Sequence, residues 1–254
     1  MDKRLAFNEE VITYDKYRPR YCKELFDSII EYSGLDVTKK ALEVGIGTGQ
    51  ATTPILQTGC FVTAIELGDK LASYSKAKFK EYNNFTIHNI AFEDYEFNDN
   101  SIDFVYSGTA FHWIPDEVGY RKVYEMLRSG GTIALFWNRP SVVSPDIHHG
   151  FQSIYAKYRP EIAVPIKDKQ EVYNKIIESI NRYGFIDLRF ELMYQTRSLN
   201  AEEYVSLLNT YSDHLAMGSD IKKHLYAETK EVINRHGGNV IIHDTIDLYM
   251  AKKP

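Results

Sequence analysis

Cysteine is scarce: two in 254 residues. Cys22 and Cys60 cannot form a metal cluster by themselves and show no paired ligand spacing, so two reduced thiols in a cytoplasmic protein are expected. Long apolar runs are missing too. No stretch approaches eighteen apolar residues, so no membrane-spanning helix is expected. The opening MDKRLAFNEE is charged and lacks the apolar stretch that a signal peptide needs. Positive charge is not in excess: 30 Lys and Arg stand against 35 Asp and Glu, a net −5. That balance supplies no electrostatic reason to bind a polyanion. Repeats, low-complexity tracts and clear linkers are all absent. What is present is ordinary for a globular protein, with 44% hydrophobic and 26% charged residues, and long enough to bury a sizeable core.

Five short apolar runs read as buried strands: Lys40–Gly45, Phe61–Glu66, Phe85–Asn89, Ile102–Ser107 and Thr132–Trp137. Segments of helical period separate them, among them TTPILQTG, DKLASYSKAKFKEY and EVGYRKVYEMLRSGG, the last expected to stop at its glycines. Alternating strand and helix predict crossover units and a parallel sheet covered on both faces. Two later stretches, FIDLRFELMYQTRSL and NVIIHDTIDLYMAKK, alternate apolar and polar residues and predict long antiparallel strands at one sheet edge. Between them, Asn200 followed three residues later by Glu203 predicts a capping box.

ALEVGIGTGQ, residues 41–50, is the most informative stretch. It places Gly45, Gly47 and Gly49 after a buried strand. A triphosphate loop would need Gly-Lys-Ser/Thr, and Gly49-Gln50-Ala51 stands there instead. The dinucleotide fingerprint G-x-G-x-x-G has its third glycine one residue later than here. Glu66 closes the next strand 21 positions after Gly45, where a carboxylate would accept both hydroxyls of a ribose and repel a 2′-phosphate. A nucleoside site follows, its identity still open.

ALEVGIGTGQAT followed by FVTAIEL resembles the first two motifs of the class I S-adenosylmethionine-dependent methyltransferases, an acid, one residue, then Gly-x-Gly-x-Gly. NIAFEDYEFNDNSIDFVYSGTAFHWI, MLRSGGTIALF and YDKYRPRYCKEL resemble later and flanking segments of its small-molecule branch. That branch includes proteins similar to trans-aconitate methyltransferase, of the methyltransferase type 11 kind. The resemblance is strong over residues 8 to 137. It implies a Rossmann-like, seven-stranded, mostly parallel sheet with one antiparallel strand near the C-terminus, helices on both faces and a helical cover. A single methyltransferase domain is implied over 1–254. Within it, 1–35 would be N-terminal cover and 36–137 the cofactor-binding core. Segments 138–183 and 200–236 would be helical insertions over the acceptor, and 184–199 and 237–254 edge strands.

The implied cofactor is S-adenosylmethionine. Its expected contacts are Glu43, Gly45, Gly47, Thr48, Gly49, Glu66, Leu67, Ala91, Phe92, Glu93 and Ser107. Gly45 and Gly47 would admit the backbone to the methionine moiety, and AFED at 91–94 would flank the adenine. Ala91 stands where many relatives carry aspartate. In SGTAFHWIPD, His112 is the candidate general base and Trp113 a wall of the site. Tyr14, Tyr17, Arg18, Tyr211 and His214 are further acceptor candidates, with Arg18 able to grip a carboxylate. The His148-His149 pair lacks ligand partners, and no metal is expected. A small molecule is the expected partner, with no nucleic acid and no membrane, for a monomer or homodimer. DNA methylation is opposed by Ser107-Gly-Thr-Ala where Asn-Pro-Pro-aromatic would follow the fourth strand. A small carboxylic acid is the expected acceptor, transferred to by in-line displacement with S-adenosylhomocysteine as product. Two other readings stay open: an NAD-dependent oxidoreductase and a non-catalytic cofactor-binding protein.

Overall fold

The computed structural model describes residues 3–160 and 168–254; the part of the expected helical segment 138–183 that falls on 161–167 lies outside the described residues. The chain forms two compact units. The sheet unit comprises residues 19–138, 169–193 and 246–254, and the helical unit comprises 1–18, 139–168 and 194–245.

In chain order, a 3-10 segment (Lys3–Glu9) and α1 (Val11–Tyr17) are followed by α2 (Lys23–Ser33), β1 (Lys40–Val44), α3 (Thr52–Leu56) and β2 (Phe61–Glu66). Then come α4 (Asp69–Lys78), β3 (Phe85–Asn89), β4 (Ile102–Gly108), α5 (Asp116–Met126) and β5 (Leu127–Val142). The rest is α6 (Pro145–Tyr158), α7 (Lys169–Arg182), β6 (Ile186–Asn200), α8 (Ala201–Leu208), α9 (Ser212–Leu215), α10 (Ser219–Arg235) and β7 (Asn239–Lys252).

The seven strands form one sheet in the order β3-β2-β1-β4-β5-β7-β6. The first five are parallel, with Leu42 paired to Thr63 and Val105, and Tyr106 to Ala134. β7 runs against β5, because Gly130 N–H donates to Lys253 O while Lys253 N–H donates back to Gly131 O. Alternation sorts the strand residues of the sheet unit to two faces. Ala41, Val62, Phe104, Tyr106 and Phe136 pack with Leu25, Ile29 and Ile55 of α2 and α3. Leu42, Ile65, Val105, Ile133 and Leu135 pack with Val123, Met126, Tyr173 and Ile180 of α5 and α7. Burying each such side chain contributes roughly 1.5–3 kcal/mol, which is why runs that are apolar on both faces belong at the sheet's centre. The expected insertion over 138–183 therefore divides, with α7 joining the sheet unit and α6 the helical unit.

Two boundaries differ from expectation. α5 stops at Met126, and the glycines at 130–131 lie inside β5, which starts at Leu127 rather than at Thr132. The early start comes from pairing: Leu127 lies opposite Ile102, and Gly130 takes φ +75° while bonded to Lys253. β5 also runs past Trp137 to Val142.

The helical unit has its own core of Ile147, Phe151 and Ile154 from α6, Tyr204 and Leu207 from α8, Leu225 and Ile233 from α10, and Val240 and Ile242 from β7. The expected capping box opens α8: Asn200 Oδ1 accepts from Glu203 N–H at 3.0 Å, and Glu203 Oε2 accepts from Asn200 N–H at 2.9 Å. Across its end of the sheet, the Arg197 guanidinium grips the fully buried Asp244 at 2.5 and 3.0 Å. No helix among the described residues is long and apolar enough to cross a membrane.

Candidate cofactor and acceptor site

β1 runs into a turn in which Gly45, Gly47 and Gly49 all take positive φ, at 74°, 57° and 79°. Only glycine adopts this backbone without strain. At Gly45 a Cβ would lie 2.5 Å from Ala110 Cβ, and at Gly49 it would lie 2.3 Å from the Phe79 ring. The first and third glycines thus also serve close packing against neighbouring elements.

Glu66, at the carboxyl end of β2, organises the loop. Its Oε2 accepts Gly47 N–H at 2.8 Å, and its Oε1 accepts Gly68 N–H at 2.9 Å. The carboxylate is 8% exposed. Burial pushes its pKa up, opposed by the amides of Gly68, Gly47 and Leu67, which favour the charged form. A carboxylate offers about four lone-pair positions, so acceptor capacity remains beyond these backbone amides. The loop's carbonyls are held as well: Ser75 Oγ donates to Gly47 O, and Lys78 Nζ to Thr48 O, both at 2.8 Å. Thr48 is fully buried, its Oγ1 accepting from Gln50 Nε2. Asn89 Nδ2 donates to the carbonyls of Glu66 and Leu67, and Leu67 is itself half-exposed. Ser75, Lys78 and Asn89 were not anticipated; the helix and strand periods that set these residues carry no mark of a loop 20 or more residues away.

Glu43 lies within the sheet, 2% exposed, with Oε2 accepting from Thr52 Oγ1 at 2.7 Å and Tyr106 OH at 2.8 Å. Burial pushes its pKa to about 7 against those two bonds, with the Glu66 charge adding a smaller upward push. Glu43 therefore supports the loop from the core. Ser107 is likewise fully buried, donating to Val44 O at 2.8 Å. It ties β4 to β1 at the carboxyl ends.

Ala91 lies in extended backbone ahead of a 3-10 turn, Phe92–Asp94. The Phe92 ring is 4% exposed, with Phe111 at 6.5 Å and Lys122 Nζ at 5.3 Å. The ring is a core element. Lys122 Nζ also donates to Glu93 O at 2.8 Å, fixing the turn.

β4 ends in Thr109, whose φ of +57° is left-handed. Its Oγ1 shares a hydrogen bond with Tyr21 OH at 2.9 Å, and its N–H donates to Phe136 O at 2.8 Å. A non-glycine residue held in that region costs of order 1–3 kcal/mol and clusters at functional sites. The bend carries the chain into the 3-10 turn Phe111–Trp113. There His112 is exposed, Trp113 half-buried with its ring 5.1 Å away, and Trp137 Nε1 donates to His112 Nδ1 at 3.1 Å.

The other candidates belong to the helical unit. Arg18, just after α1, has its guanidinium 4.8 Å from the Tyr14 ring, 4.7 Å from Tyr211 and 5.8 Å from Phe7. Its Nη2 donates to Thr210 O at 2.8 Å, and its buried Nε has no partner. Tyr14, Arg18 and Tyr211 are thus brought together. Tyr17 packs against the unit's core and carries Lys16 Nζ 5.0 Å over its ring. His214 is 1% exposed, its Nε2 bonded to Tyr155 OH at 2.7 Å and its ring stacked on Tyr226. Burial pushes its pKa down to about 4. It is a core histidine of this unit. No cluster of three or more metal-ligating side chains occurs among the described residues.

A glycine turn at a strand's carboxyl end, a carboxylate closing the next strand and the 3-2-1-4-5-7-6 sheet define a nucleoside-binding α/β fold. Residues 42–135 match the family described as a methyltransferase domain. An uncharacterized methyltransferase of Bacillus cytotoxicus is 30% identical over 206 residues, covering 75% of this chain and 81% of the relative. An uncharacterized methyltransferase-like protein of Schizosaccharomyces pombe is 26% identical over 229 residues, covering 89% and 85%. Among solved structures, a candidate type II methyltransferase from Anaeromyxobacter dehalogenans superposes with a TM-score of 0.69 at 17% identity, covering 93% of this chain and 98% of that one. The chain belongs to the class I S-adenosylmethionine-dependent methyltransferases, and it is an enzyme of methyl transfer.

Proposed function

We propose that this methyltransferase acts on a small carboxylic acid. The observation that carries the reading is Arg18: a half-buried guanidinium lined by Tyr14 and Tyr211, with no carboxylate partner among the described residues and an unsatisfied Nε. Guanidinium and carboxylate match as a two-pronged, charge-assisted pair.

The residues of the glycine turn fit the family's cofactor. Glu66 has acceptor capacity for a ribose diol, and Gly45, Gly47 and Gly49 expose backbone rather than side chains. Thr48 and Leu67 shape the turn, and the backbone of Ala91, Phe92 and Glu93 borders the adenine. When bound, S-adenosylmethionine supplies an electrophilic methyl group on a sulfonium leaving group. What remains for the protein is alignment and exclusion of water. A carboxylate is ionised at neutral pH and needs no base. Within the sheet unit, His112 with Trp113 forms the acceptor side of the β4 end. The net charge of −5 agrees with a small acceptor rather than nucleic acid, in a cytoplasmic monomer or homodimer.

Calorimetric titration with S-adenosylhomocysteine, with NAD in parallel, tests the cofactor assignment. Micromolar binding of the first alone, roughly −8 kcal/mol, is expected. An acceptor panel of di- and tricarboxylates, alcohols and amines then tests the substrate. Carboxylate methylation whose KM rises at least about tenfold in Arg18→Gln supports the reading; exclusive methylation of amines or alcohols refutes it.

A further inference from the structure

We propose that Trp137 is a positioning residue that fixes the protonation pattern of the His112 ring. An indole N–H can only donate, and a neutral imidazole carries one N–H and one lone pair. The nitrogen that Trp137 Nε1 meets at 3.1 Å is Nδ1, so the lone pair is on Nδ1 and the proton on Nε2. Trp137 is well placed to impose this. It is 7% exposed within β5, and its ring lies edge-on to Tyr249 at 5.8 Å. The anchor is buried, while His112 is exposed in the turn after β4. A second proton, on Nδ1, would set two donors against one another.

The arrangement deepens the acceptor reading above and rests on it for one clause only: that His112 touches the acceptor. The ring presents an N–H at Nε2, not a lone pair. It donates to an oxygen of the acceptor and is not set to remove the acceptor's proton. His112 is thus a hydrogen-bond donor here and not the general base expected from its place in the loop. An acceptor whose reacting atom has no proton to lose suits such a ring. A carboxylate meets that condition at neutral pH; an alkyl alcohol does not.

The test is long-range proton–nitrogen correlation of the histidine rings in uniformly 15N-labelled protein. His112 is assigned by the signals lost in His112→Gln. The expected pattern is a protonated Nε2 and a pyridine-like Nδ1 in the wild type. Trp137→Phe keeps an aromatic ring while removing the indole N–H and the volume of the fused ring, and it is expected to release His112 into a mixture of tautomers. A proton on Nδ1 in the wild type overturns the proposal, as does an unchanged tautomer in a folded Trp137→Phe. Should that variant fail to fold, the wild-type tautomer decides alone. The consequence for substrate is read separately, by offering one carboxylic acid and its alcohol analogue. Comparable methylation of the alcohol overturns the donor role. The tautomer measurement needs no acceptor, so its failure and that of the carboxylate reading are distinguishable.

Discussion

Replacing Glu43 by glutamine isolates the energetic cost of a carboxyl buried beneath the glycine turn. In the folded chain its pKa is raised from 4.5 to about 7, chiefly because burial penalises the charge. A group whose folded pKa is raised binds its proton more tightly in the native state. Its contribution is fully present below pH 4.5 and is lost as pH rises to about 7. A rise of about 2.5 units at 1.36 kcal/mol each corresponds to about 3 kcal/mol across that window. Glutamine has nearly the same shape and does not titrate. It can still accept from Thr52 or Tyr106, and any misfit of its amide is a constant offset at every pH. The quantity to measure is therefore the difference in unfolding free energy between variant and wild type, by urea titration at half-unit steps from pH 4.5 to 8. Groups common to both proteins cancel in the difference. Glu43→Gln is expected to gain on the wild type by about 3 kcal/mol over the series. A difference independent of pH would refute the reasoning, and so would one that falls with rising pH.

His214 titrates in the opposite sense. Its folded pKa is lowered from 6.5 to about 4, so its contribution is present at neutral pH and lost on acidification. Lowering pH from 7 to 5 is expected to destabilise the wild type by about 2 kcal/mol more than His214→Gln in the same urea assay. Arg197→Met leaves the fully buried Asp244 carboxylate without its two-pronged partner, and a loss of about 3–5 kcal/mol is expected in urea unfolding; a loss under 1 kcal/mol would show that the pair contributes little. Gly47→Val puts a branched residue at φ +57°, and is expected to abolish S-adenosylhomocysteine binding in calorimetry while circular dichroism reports a folded protein. Unchanged affinity would remove Gly47 from the cofactor's path.

The parts of the fold legible in the sequence are those that short stretches encode by themselves. The apolar runs at 40–45, 61–66 and 102–107, the spaced glycines at 45–49 and the Asn200–Glu203 cap each need only neighbours in the chain. Details set by the meeting of two distant stretches were not legible. The start of β5 at Leu127 depends on pairing with Ile102 and on Lys253 O, neither visible from the local glycines. The burial of the Phe92 ring beside Phe111 and Lys122 likewise depends on residues distant in the chain. His214, an acceptor candidate in the sequence, is buried with its ring bonded to Tyr155 and stacked on Tyr226. The indole that determines what His112 can do sits 25 residues further on, in a strand whose apolar character suggests only core. At the β4 end the left-handed residue is Thr109, not the neighbouring Gly108.

The strand order has a consequence for a nascent chain leaving the ribosome. β7 lies between β5 and β6 in the sheet, yet it is made after both. β6 can join the sheet only through β7, so it emerges with neither edge paired. It must wait while α8, α9 and α10 are translated, several seconds at ~5–20 residues per second. During that interval Leu192 and Tyr194, both exposed even in the finished fold, lie on an open strand of the kind that pairs with strangers. Arg189, Glu191 and Arg197 along the same strand are charges that discourage such pairing until its proper neighbour arrives.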